Sequence, residues 1–334
     1  MSHSKDPGTI AVVKVFSPVR PTTAPLLALA CVVLFGLVAT ALSPSAVGAG
    51  RKLIVEKESL YNNIYIYSDP PYVSLTFGHN GRLYTESVYN TKDDLDLPVT
   101  YTRYMTVGLA YAKQVRSILE IGSGGGRTAW YLHRYLPEVP ITTVELDPVV
   151  ADLARKHFGI RDEKNFEIVT RDGRLYMREN RSKRFDIIMI DAYRGPFVPF
   201  HLLTKEFYAA TKAQMNPGGV LVQNVEPTTM LFDSATKTIQ SVFANVEFFY
   251  ADGNVVTVAY DGPRRSQADL LAVATARQKA SSFRYDLTAM LPKRRLMSDG
   301  MGTISPDAKV LTDDFAPVEA LKAIEKHNRK WAEP

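Results

Sequence analysis

The chain has one cysteine, Cys31, which excludes an intramolecular disulfide and any zinc site built on several thiolates. It also lacks a basic stripe. Its 40 Lys and Arg are interspersed with 35 Asp and Glu for a net charge of +5, and the densest cluster, RSKR at 181–184, reads as a solvated loop. Nucleic acid is therefore not an expected partner, and no metal site is expected either. Apolar residues are not scarce: 46% of the chain is hydrophobic and 22% charged, enough to exclude extensive disorder and to fill one large domain plus a smaller one.

One apolar run is long. Residues 24–42, APLLALACVVLFGLVATAL, hold 19 residues without a charge, after Lys14 and Arg20 and before SPSAVGAG. The run is read as a membrane anchor, and the alternative is a signal peptide cut after Ala49. Lys and Arg nearly tie on its two flanks, so the positive-inside count does not fix an orientation. The expected division is a signal or anchor segment at 1–50, a small β domain at 51–100, an α/β domain at 101–262 and a helical C-terminal extension at 263–334.

Within 60–89, the runs YNNIYIYSD, YVSLTFG and GRLYTESVY alternate apolar with polar residues around a turn at HNG, the pattern of a small antiparallel sheet. YTRYMTVGLAYA at 101–112 has helical spacing. Then SILEIGSGGGRTAWYLHRYL at 117–136 runs an apolar strand into Gly122, Gly124, Gly125 and Gly126 and on into a helix. Glycines there let the backbone turn tightly and approach a ligand, and the helix N-terminus offers free N–H groups. The next strand, ITTVELD, ends at Glu145, 23 residues beyond Gly122, the distance at which an acid meets ribose hydroxyls in nucleotide-binding βαβ units.

Further strands end in Asp172-Gly173, in Asp191 of IMIDAYRGPF, and near Asn224 of GGVLVQNV, with helical segments between them. Alternation of strand and helix predicts an α/β fold with a largely parallel sheet and helices on both faces, ligands binding outside the strands' carboxyl ends. Glu145, Asp172 and Asp191 all fall on that edge. VEFFYADG and VVTVAYDG predict a closing antiparallel pair.

A dinucleotide fingerprint calls for glycine at position 127, where this chain has Arg127. The pattern E-I-G-S-G-G-G, opening with Glu120, resembles instead the first motif of S-adenosylmethionine-dependent methyltransferases, with their Rossmann-like sheet. The order from this loop through VELDP, DG and D-A-Y to LLTKEFY and MNPGGVLVQN is similar, over about residues 58–262, to the spermidine synthase-like polyamine aminopropyltransferases, and closest to their divergent bacterial, membrane-fused branch. The resemblance implies decarboxylated S-adenosylmethionine as co-substrate, no permanently bound cofactor, a small-molecule amine acceptor, release of methylthioadenosine and pairing as a homodimer. It also implies Glu145 on the ribose, Asp172 on the adenine amino group and Asp191 beside the acceptor amine.

Chemistry gives Asp191 a task, since a protonated amine cannot attack the carbon beside a sulfonium until a carboxylate has attracted it and taken a proton. The candidate catalytic residues are Asp191 and Tyr193. Donor-binding candidates are Glu120, Gly122, Gly124, Gly126, Glu145, Asp172 and Gly173, and acceptor-binding candidates are Tyr101, Arg194, Asn224 and Tyr250.

The departures from the family pattern bear on substrate. The usual G-G-G-D-G-G loop has an aspartate that meets the donor's aminopropyl nitrogen, and Gly125 stands there. The usual D-S-S-D-P has a second acid, and Arg194 stands near its place, which disfavours a diamine such as putrescine. Glu120 could restore the missing negative charge, or Arg127, Arg103 and Arg194 could bind a carboxylate on intact S-adenosylmethionine or on an acidic acceptor. Three readings stay open: an aminopropyltransferase, a methyltransferase on the same scaffold, and a non-catalytic nucleoside- or polyamine-binding relative. A cytosolic catalytic domain on a membrane anchor is the expected location, because the donor is made in the cytosol.

Overall fold

The computed structural model describes residues 50–79, 81–195, 197–225, 227, 231–296 and 304–315. The apolar run at 24–42 and the helix expected near 320–331 lie outside the described residues. Among the described residues, no helix is long and apolar enough to cross a membrane.

The chain first builds an antiparallel meander of β1 (Lys52–Glu58), β2 (Asn63–Asp69), β3 (Tyr72–His79) and β4 (Arg82–Asn90), paired in sequence order. Alternation drives it: Ile64 and Ile66 of β2 and Val73 and Leu75 of β3 are buried at every second position. β1 extends the sheet before the alternating runs begin. Its side chains are almost all exposed, so no buried face imprints a period of two on KLIVEKE. In β4 the register slips, with Leu75 facing Ser87 and Thr76 facing Thr85, so that Glu86 is the extra residue of a β-bulge.

The second sheet comprises β5 (Ile118–Ile121), β6 (Ile141–Glu145), β7 (Phe166–Thr170), β8 (Phe185–Ile190), β9 (Met215–Val225), β10 (Asn245–Ala251), β11 (Asn254–Tyr260) and β12 (Arg294–Leu296). Its order is β12-β10-β11-β9-β8-β5-β6-β7. The run from β7 to β9 is parallel, while β11, β10 and β12 pair antiparallel. β5 and β8 are buried at every position, as central strands covered on both faces must be. Ile187 and Met189 join a core with Trp130 and Leu132 of the helix Arg127–Tyr135, whereas Ile188 and Ile190 join a second core with Tyr176, Phe207 and Tyr208. The expected α/β architecture, a Rossmann-like sheet preceded by a small antiparallel one, is therefore present.

The C-terminal stretch is more than a helical extension. After the helix Gln267–Ser281 it returns as β12, an edge strand on β10. Glu247 of β10, 0% exposed, accepts two guanidinium N–H bonds from Arg294, each 2.6 Å, and the hydroxyls of Tyr111 at 2.6 Å and Tyr260 at 2.7 Å. Those four donors satisfy the buried carboxylate and clamp the extension to the sheet.

Candidate active site

Strand order reverses between β5 and β8, so the loops leaving their carboxyl ends diverge and open a crevice. That crevice is a cavity of about 660 Å³. Its floor is made by the ends of β5, β6 and β8, its roof by Phe77, His79, Glu86 and Ser87 of the small sheet, and one wall by the loop after β8 with Arg194, Phe197 and Phe200. The two strand exits touch. Gly122 has φ +90°, and a Cβ there would lie 2.3 Å from the carbonyl oxygen of Asp191. Only glycine fits this contact, which sets the donor loop directly against the Asp191 backbone.

Each strand-end acid has its own environment. The Oε2 of Glu145 accepts N–H bonds from Ser123 at 3.1 Å and Gly124 at 2.9 Å, and its Oε1 accepts one from Asp147 at 3.0 Å. The glycine loop is thus folded onto this carboxylate, whose pKa burial raises above the ordinary range against those three bonds. Asp172 caps the helix Gly173–Glu179 through Leu175 N–H at 2.8 Å, and its Oδ2 meets Nε2 of His201 at 2.9 Å. The His201 bond, chiefly, holds its pKa below the ordinary value.

Asp191 caps no helix. Its Oδ2 accepts the Tyr101 hydroxyl at 3.0 Å and its Oδ1 the Asn224 amide at 3.0 Å. Burial pushes its carboxyl up to about 6, and the two hydrogen bonds oppose that shift. Tyr193, also at the cavity, donates to the Asn224 carbonyl at 3.0 Å and so braces the amide that holds Asp191.

Tyr101, Gly122, Gly124, Glu145, Asp172, Gly173, Asp191, Tyr193 and Arg194 all line the cavity. Four expected residues do not. Asn224 stands behind Asp191, and Gly126 starts the helix behind the loop. Glu120, 2% exposed, takes the Thr143 hydroxyl at 2.8 Å and lines a small side cavity, where burial pushes its pKa up to about 8. A carboxyl held protonated at neutral pH does not restore the negative charge expected of it. Tyr250 is 48% exposed on β10, with β9 and β11 between it and the crevice, and does not line this cavity.

The arginines are also sorted. Arg127, 4% exposed, is committed to the Phe158 carbonyl at 2.8 Å, the Asp94 side chain at 3.2 Å and the Tyr89 ring. Arg103 donates to the Leu97 carbonyl at 2.7 Å and lies over Tyr285. Both are structural, so of the three candidates only Arg194 lines the cavity.

Three residues of the site carried no sequence signal: Glu86, Ser87 and His201. Ser87 accepts the Gly125 N–H at 2.9 Å, joining the small sheet to the donor loop. Five acidic side chains line the cavity, Glu86, Glu145, Asp147, Asp172 and Asp191, against Arg194 and two histidines. Such a cavity favours cations, and a sulfonium and an ammonium are both cations.

Residues 99–257 match the model of the spermine/spermidine synthase domain. Over 298 residues the chain is 31% identical to a polyamine aminopropyltransferase of Vibrio vulnificus, covering 87% of this chain and 98% of that protein. Among solved structures, a probable spermidine synthase from Corynebacterium glutamicum is similar with TM-score 0.56 at 22% identity, over 68% of this chain and 93% of that one. Human methyltransferase-like protein 13, in complex with SAH, is similar with TM-score 0.51 at 22% identity, over 55% of this chain and 92% of that one. At these identities the two structures speak to fold alone.

Proposed function

Since the chain belongs to the spermine/spermidine synthase family and is an aminopropyl-transferring enzyme, we propose that its donor is decarboxylated S-adenosylmethionine and that Asp191 takes the acceptor's proton. The donor lies with its ribose on Glu145 and its adenine near Asp172. The acceptor's ammonium approaches Asp191 and gives up one proton to it. The freed nitrogen lone pair then attacks the carbon next to sulfur. A C–N bond forms, the C–S bond breaks with its electrons passing to sulfur, and the neutral thioether methylthioadenosine leaves. The sulfonium is already an activated leaving group, so the protein's share is alignment and proton removal.

The carrying observation is the Asp191 carboxylate, fixed between Tyr101 and Asn224 at the floor of an acid-lined cavity and raised to about 6. A base in that range is ionised at neutral pH and still accepts a proton readily. Methyl transfer from the intact donor is the weaker reading. It would bring a carboxylate into an acidic cavity where, of its three candidate partners, Arg127 and Arg103 are already committed and Arg194 alone lines the wall. Calorimetric titration with both donors tests this: the decarboxylated donor should bind more tightly, and the opposite order would remove it from the mechanism.

Attachment to a membrane through residues 24–42, with the catalytic domain in the cytosol, and pairing as a homodimer complete the reading. Protease protection after fractionation and light scattering of the solubilised protein are their tests.

A further inference from the structure

Glu86 has no task in the reaction as written, yet it is placed with care. The bulge in β4 leaves it as the unpaired residue between Thr85 and Ser87, and bulges beside active sites re-aim side chains. Ser87 binds the Gly125 N–H. A Cβ on Gly125 would fall 2.8 Å from Ser87 Cβ and 2.7 Å from Phe158 Cδ1. The absence of a side chain at 125 is therefore what lets β4 press onto the donor loop. The bulge then carries Glu86 into the cavity that Asp191, Tyr101 and Ser123 also line. Its Oε1 is buried and has no hydrogen-bond partner. Burial first, then the charges of Asp191 and Glu145, drive its pKa well above the ordinary range. A carboxyl that burial and two neighbouring acids hold toward its protonated form gives up its proton readily only when a cation arrives to pair with it.

We propose that Glu86 receives the ammonium at the end of the donor's aminopropyl chain and thereby selects the decarboxylated donor. The inference rests on the aminopropyl-transfer reading above. That donor carries its ammonium three carbons from the sulfonium. Glu86 lines the same cavity as Glu145 on the donor side and Asp191 at the acceptor amine, and both acids are near enough to act on it. Intact S-adenosylmethionine bears a carboxylate on the same carbon as its ammonium. Beside Glu86 and Asp191 that group meets like charge, which supplies discrimination by repulsion.

The test is Glu86→Gln in the full chain, with steady-state kinetics for decarboxylated donor and acceptor and titration with methylthioadenosine, which has the nucleoside but no ammonium. The donor KM should rise about 10–100-fold, the loss of one charge-assisted contact, while methylthioadenosine affinity and acceptor KM stay put and preference over the intact donor falls. An equal loss of methylthioadenosine affinity would make Glu86 merely structural, and a rise in acceptor KM alone would move it to the other substrate. Either result, or an unchanged donor KM, overturns the inference while wild-type turnover still supports the aminopropyl-transfer reading. If the wild type forms no aminopropyl product, the underlying reading fails first.

Discussion

Asp191→Asn separates catalysis from stability because the two respond in opposite directions. The substitution is nearly isosteric, and the Tyr101 hydroxyl can still donate to the new amide oxygen. Asn224 can turn its amide so that its Oδ1, buried and without a partner, accepts the new N–H. Packing is thus kept and only the charge is lost. The Asp191 carboxyl is raised from its ordinary 3.8 to about 6, so the folded protein holds this proton more tightly than the unfolded chain. The resulting penalty is absent below about pH 4, grows between the two values and is complete above about 6. At 1.36 kcal/mol per unit, and discounted for the edge open to the cavity, it is roughly 1–3 kcal/mol. D191N should therefore be more stable than wild type at pH 7.5, with the difference vanishing near pH 4. Its turnover should fall about 10²–10⁴-fold with donor affinity unchanged. Wild-type kcat/KM should fall as pH drops through about 6, a limb the variant lacks. Denaturant melts at the two pH values, with methylthioadenosine release, measure both halves. Turnover within tenfold of wild type, or a melt at pH 7.5 no higher than wild type, would refute the reasoning.

Asp172→Ala removes a helix cap and a cavity acid together, so stability should drop about 1 kcal/mol and donor affinity about tenfold. Calorimetry showing an unchanged donor affinity would take Asp172 away from the adenine. Gly122→Ala forces a methyl into the Asp191 backbone, and turnover and donor binding should fall together, by about 10²-fold for a misplacement of about 1 Å; a fully active variant would show that the two loops need not touch. Arg294→Ala strands the buried Glu247 carboxylate and should cost about 3–5 kcal/mol in a urea melt, without altering donor KM in the protein that remains folded.

The sequence disclosed most where burial is complete on both faces. The unbroken run of β8 and the glycine loop after β5 predict the central strands and their crevice, because a parallel core strand has no solvent face to interrupt its pattern. The edges were harder to read. β1 is nearly all exposed, and β12 has only three residues, Arg294–Leu296, so neither had an apolar rhythm to find. Glu86 was invisible for a different reason: within GRLYTESVY an acid between Thr85 and Ser87 looks like an ordinary solvent-facing residue. The bulge that re-aims it exists only in the pairing of β4 with β3. Arg127 was legible as a cation but not as a committed one, since its partner Asp94 sits in a loop 33 residues away. Tyr250 is a candidate by its ring and hydroxyl, and neither says how far its strand stands from the crevice.

The most direct measurement is product analysis of the purified full chain given decarboxylated S-adenosylmethionine, intact S-adenosylmethionine and a panel of amines. Methylthioadenosine released in step with an aminopropylated amine, from the decarboxylated donor alone, is the result expected here. Release of S-adenosylhomocysteine from the intact donor, with no aminopropylated product, would contradict it.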